Sequence, residues 1–113
     1  MHVYVFTSLG VFKSPDALRL YIDPTYTEDG DMINSFFITE TRLSNYNPMC
    51  IESEFFSSPV SLPHALGGFS YSDKWLIKIG TTSTIDSAIL VYNPNIIVNT
   101  KISKLTFQGH FSF

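Results

Sequence analysis

A thiol beside an imidazole can make a nucleophile and its base. This sequence holds one such combination within a short span, Cys50 and His64. The pair would need hydrogen-bond contact and a third group to orient the ring. No family-specific motif surrounds either residue, and cysteine is among the most buried residue types, so the plainer reading is a packed, inert thiol. The three histidines, His2, His64 and His110, lie far apart and in no metal-binding spacing. His2 and His110 both fall on predicted strands and would meet if the terminal strands pair. Two histidines fall short of the three or four ligands a zinc site needs, so the plainer reading is surface or core-edge imidazoles. Glu52 and Glu54 share one face of a predicted strand, as a carboxylate couple for glycoside chemistry would require. The plainer reading is a solvated face. The stretch LGGFSYSD at residues 66–73 is neither a nucleophile elbow nor a phosphate-binding loop. A non-enzymatic protein without metal or cofactor is the expectation.

What remains is a surface for binding. Tyr26, Glu28, Asp29 and Asp31 gather around Gly30, and Glu40, Tyr46, Glu52 and Glu54 follow on the next predicted elements. If those elements pair, their carboxylates face one side of the molecule. Tyrosine adds contact area and a hydroxyl, while carboxylates speed encounter and set register with a cationic partner. The same residues also describe an ordinary solvated face over core aromatics.

The elements that would carry these groups follow from local signals. Residues 1–7, MHVYVFT, are apolar on both faces and read as a central strand covered on both sides. Ser14, Pro15 and Asp16 make a helix start, and Asp23-Pro24 a stop, so 14–23 read as a helix. A rival strand alternation runs through residues 18–22. Glu28-Asp29-Gly30-Asp31 is a reversal, and residues 32–41 and 49–57 read as strands. In the second of these, the face with Glu52 and Glu54 is expected to be wet and the opposite face buried. A short helical turn is possible at 61–66. Residues 71–79 alternate through Trp75, Ile77 and Ile79, and 85–92 form a strong strand that Asn93-Pro94-Asn95 breaks. Residues 96–98 read as a short strand. Residues 105–113 alternate Leu105, Phe107, Gly109, Phe111 and Phe113 on one clean apolar face. The expected fold is α+β: an antiparallel sheet of about six or seven strands with one short N-terminal helix packed on one face.

Size and composition set the outer limits. The 113 residues suit one domain, residues 1–113, and 44% apolar content supplies a core without a covalent staple. One cysteine allows no internal disulfide. The opening apolar run lacks a basic leader and a small-residue cleavage site, and no run reaches the roughly 18 residues that span a bilayer. A cytoplasmic protein with no membrane partner is expected. Residues 1–54 hold eight acids and three bases, a net of −5, while residues 55–113 carry +2. Without clustered Lys and Arg, direct nucleic-acid binding is not expected.

Residues 11–41, VFKSPDALRLYIDPTYTEDGDMINSFFITET, carry a resemblance. An apolar residue and Phe, a Ser, a short helix ending in Tyr-Ile-Asp-Pro, an extended stretch, Gly and a second strand make up a pattern similar to immunity proteins of bacterial polymorphic and contact-dependent toxin systems. That resemblance implies a small, often acidic, non-catalytic protein that binds a cognate toxin domain, commonly a nuclease, by covering its active site or substrate groove; a monomer is the expected state. It carries over no functional residues. Two other roles remain open on the residues alone. Ten phenylalanines could line a small-ligand pocket, and the terminal FQGHFSF strand could pair edge to edge in a structural subunit.

Overall fold

The computed structural model describes residues 1–113. Strand β1 (His2–Ser8) leads to helix α1 (Pro15–Ile22), where Ser14 accepts the Ala17 N–H at 3.1 Å and extended Asp23 ends the helix. The cap and the proline therefore decide 18–22 in favour of helix. Strands β2 (Thr25–Tyr26) and β3 (Met32–Ile33) form a hairpin. Its loop is closed by the Thr27 N–H to the Asp31 carbonyl, with Gly30 at φ +88°. A positive φ of that kind is open to glycine at no steric cost.

The stretch 32–41 is not one strand. After β3 it becomes helix α2 (Phe36–Thr41), capped by Ser35, whose hydroxyl accepts the Ile38 N–H at 3.1 Å. Phe37, Ile38 and Thr41 are buried at a helical i, i+1, i+4 spacing, so packing overrides the strand preference of Phe, Ile and Thr. A 3-10 turn at Pro48–Cys50 precedes strand β4 (Ile51–Ser61), which helix α3 (Leu62–Leu66) follows. Residues 71–79 are not a strand either. They form helix α4 (Ser72–Trp75) and a 3-10 turn, Leu76–Lys78. Trp75, Leu76 and Ile79 pack inward at i, i+1, i+4, while Ile77 is left on the surface. Strand β5 (Thr84–Tyr92) ends at the cis Asn93-Pro94 bond. Residues 96–98 contribute only an isolated bridge, Ser44 to Ile96, before strand β6 (Thr106–Ser112) closes the chain.

Four strands make one antiparallel sheet in the order β4-β5-β1-β6. The hairpin is a separate two-stranded sheet, so the six strands do not form the single sheet expected. The expected single helix on one face also needs correction, because helices cover both faces. Tyr4 and Phe6 of β1 join Leu18, Tyr21 and Ile22 of α1 and Phe37 and Ile38 of α2 in one apolar cluster. Val3 and Val5 face the other way, into a cluster with Leu62 and Leu66 of α3 and Trp75 of α4. The double-sided apolar reading of β1 is therefore realised, and it requires the second helical layer.

The terminal strand has no single apolar face. Val5 pairs with Gly109 and Phe6 with Phe107, which leaves Gln108 as an extra residue in a bulge. The bulge reverses the side-chain alternation. Phe107 packs into the first cluster, and Phe111 and Phe113 pack into the second. Gly109 has φ +149°, and a Cβ there would run into the Phe111 ring. No helix is long and apolar enough to cross a membrane.

Candidate functional site

The hairpin stands away from the main sheet, and all four of its strand residues are exposed. A two-stranded ribbon of this size has little stability of its own, so its loop bonds matter. The Thr27 hydroxyl accepts the Asp31 N–H at 3.0 Å, and the Gly30 N–H reaches the Thr27 carbonyl at the same distance. This closed loop displays Glu28, Asp29 and Asp31 to solvent. None of the three carboxylates forms an ion pair; the molecule's one salt bridge joins Arg19 and Asp23 at 3.0 Å on α1.

Tyr26 is exposed on β2, and Tyr46 lies half-buried against the first apolar cluster. Burial first, then coupling to the Tyr26 hydroxyl and the Asp23 carboxylate, holds the Tyr46 hydroxyl above its ordinary value. Glu40, on α2, accepts the Tyr21 hydroxyl proton at 3.1 Å. That bond ties α1 to α2, and burial followed by the Glu40 carboxylate pushes the Tyr21 hydroxyl upward. Tyr26, Tyr46, Glu40 and the hairpin acids thus belong to the layer that α1 and α2 build.

Glu52 and Glu54 do not join them. They pair with Leu90 and Ala88 of β5, whose side chains face the opposite cluster. The face carrying Glu52 is not simply wet, because Cys50 and Phe56 on the same side pack against the α3–α4 layer. Glu52 itself accepts the Ser70 N–H at 2.9 Å and the Ser70 hydroxyl at 2.7 Å. The Ser70 carbonyl in turn accepts the Tyr92 hydroxyl at 2.6 Å and the Trp75 indole N–H at 3.2 Å. Burial, with Glu52 close by, pushes the Tyr92 hydroxyl upward. Glu52 therefore fastens the loop between α3 and α4 to the sheet, and Glu54 alone of the two is exposed.

Between α1, α2 and the hairpin runs an open groove of about 680 Å³. Val11, Leu20, Ile33 and Phe36 supply apolar walls, with Asp23 and Lys104 at the margin. Leu20 is 75% exposed and Phe36 71%. The Lys104 ammonium sits 5.5 Å from the centre of the Tyr21 ring and 5.8 Å from that of Phe36. Apart from Phe36, whose aromatic ring beside the acids suits an interface, these groove residues were not among the candidates read from the sequence. One signal pointed to them: Leu20 lies off the buried Leu18–Tyr21–Ile22 face of its helix, so it has no core to enter.

The thiol and the imidazoles lie on different elements. Cys50 is half-buried against the second cluster, His64 is exposed on α3, and no hydrogen bond joins them. The terminal strands do pair, and His2 meets His110 with ring centres 4.8 Å apart. His110 stacks on Tyr4 at 3.9 Å, and His2 Nε2 contacts the Asn95 carbonyl at 3.1 Å. Burial, then His2, lowers the basicity of His110. No third ligand completes a metal site there or elsewhere.

No curated protein and no solved structure matches this chain. Residues 5–113 match the family described as immunity protein 22, far more of the chain than the resemblance in residues 11–41 covered, and the chain belongs to that family.

Proposed function

We propose that this protein neutralises a cognate bacterial toxin domain, a basic nuclease, by lodging its acidic hairpin in the toxin's substrate groove. Membership of an immunity-protein family supports the toxin-neutralising role itself. The nuclease and the blocking mode are inferences from charge. A nuclease must attract phosphate, so its groove is cationic. An inhibitor gains by placing carboxylates where phosphates would lie. The observation that carries this reading is the β2–β3 loop, which presents Glu28, Asp29 and Asp31 without internal ion pairs. Tyr26 and Tyr46 flank it with aromatic contact area, and Glu40 extends the negative field on the same layer, whereas Glu52 and Glu54 lie across the sheet and drop out of the docking face. The protein would act as a monomer in the cytoplasm, where a nuclease meets its substrate.

The test is a variant with Glu28→Gln, Asp29→Asn and Asp31→Asn. Its affinity for the toxin domain is measured by calorimetry at low and high salt, alongside protection of toxin-expressing cells. Weaker binding and a flatter salt dependence are expected. Binding and protection equal to the parent at both salt concentrations would remove the acidic hairpin from the mechanism.

A further inference from the structure

The hairpin's charge accounts for attraction and register, but it leaves the groove beside it unused. We propose that this groove, between α1, α2 and the hairpin, seats a protruding apolar side chain of a basic segment of the toxin. This deepens the toxin-binding reading above and rests on it.

The first ground is unpaid apolar exposure. Val11, Leu20, Ile33 and Phe36 line one concavity, and Tyr26 and Met32 of the adjoining hairpin are exposed as well. An apolar concavity with an exposed aromatic wall is the usual receptor for an interface anchor, which supplies affinity that surface charges do not. The second ground is charge. Residues 14–41, which build nearly all of the groove and the hairpin, hold six of the ten acids and one of the seven bases, a net of −5. An occupant must therefore bring cationic residues beside its apolar anchor.

That charge also decides among occupants. A second copy docking through the same face would set one acidic hairpin against another, and an anionic membrane would be repelled in the same way. A basic protein segment satisfies both the apolar walls and the flanking carboxylates. The Tyr21 and Phe36 rings already hold one cation, the Lys104 ammonium. Those rings are therefore satisfied from within, and the partner's cations are left to the hairpin carboxylates Glu28, Asp29 and Asp31.

The experiment uses the full chain and the toxin domain encoded with it. Leu20→Ser and Phe36→Ser are combined, since both side chains lie mostly in solvent and contribute little to the fold. In a separate arm a photo-crosslinking phenylalanine analogue replaces Phe36 or, as a remote control, Ile77 on the opposite helical layer. The expected result is an affinity loss of at least about tenfold at both low and high salt. A crosslink to the toxin should form from position 36 and not from position 77. If the parent binds the toxin but the double variant loses less than tenfold, or only position 77 crosslinks, the groove assignment fails while the toxin-binding reading stands. If the parent does not bind the toxin, both fail. A crosslink from position 36 to another copy of the chain would overturn the choice of occupant.

Discussion

Replacing Glu52 by alanine tests whether that carboxylate is a structural fastener. Its two oxygens accept the Ser70 N–H at 2.9 Å and the Ser70 hydroxyl at 2.7 Å. Two charge-assisted bonds shielded from water would contribute about 3–6 kcal/mol. Ser70 is exposed, so water replaces part of what is lost, and the expected cost falls to about 2 kcal/mol. In a chain of this size that lowers the thermal midpoint by about 8 °C. Ser70→Ala removes only the hydroxyl bond and leaves the Tyr92 and Trp75 bonds to the carbonyl in place, so about half that loss is expected. The assay is thermal unfolding followed by circular dichroism on the parent, both single variants and the double variant. The double-mutant cycle should show a coupling of about 1 kcal/mol. A Glu52→Ala midpoint within about 2 °C of the parent would refute the fastening role by the same scale.

Asn95 is fully buried, and its amide accepts the Asn47 N–H at 2.7 Å while donating to the Asn47 and Tyr92 carbonyls at 3.0 Å. Asn95→Ala should cost about 2 kcal/mol in urea unfolding, because the Asn47 N–H loses its partner while the Asn47 and Tyr92 carbonyls each keep one backbone N–H. Gly109→Ala should cost about 2 kcal/mol or more, since the new methyl group meets both an unfavourable φ and the Phe111 ring. The basicity of His110 is held below its ordinary value near 6.5, so the unfolded chain takes up the proton first. Stability from this group is complete above that value and declines as pH falls below it. His110→Asn should make the pH profile of the thermal midpoint flatter in that range, and an unchanged profile would remove His110 from the linkage.

Local signals in the sequence were sufficient wherever the chemistry was local. Ser14-Pro15 and Asp23-Pro24 bound α1, and Gly30 marks the hairpin reversal, because caps and turns depend on residues within a few positions. The two apolar faces of β1 announced a central strand covered on both sides. The pattern in residues 11–41 likewise pointed to the right family. Tertiary packing decided the rest. FFITET and the Trp75 segment alternate over too few residues to tell a strand from a helical turn, and each adopted the form that filled a face of the sheet. The bulge at Gln108 divided the terminal phenylalanines between two cores, which no alternation count reveals. The carboxylates were visible as residues, but only the sheet's two-sidedness sent Glu52 to Ser70 and left the hairpin acids in solvent. Side-chain type is written in the chain; which groups share a face depends on strand order and register, and these are set by contacts between residues far apart in sequence.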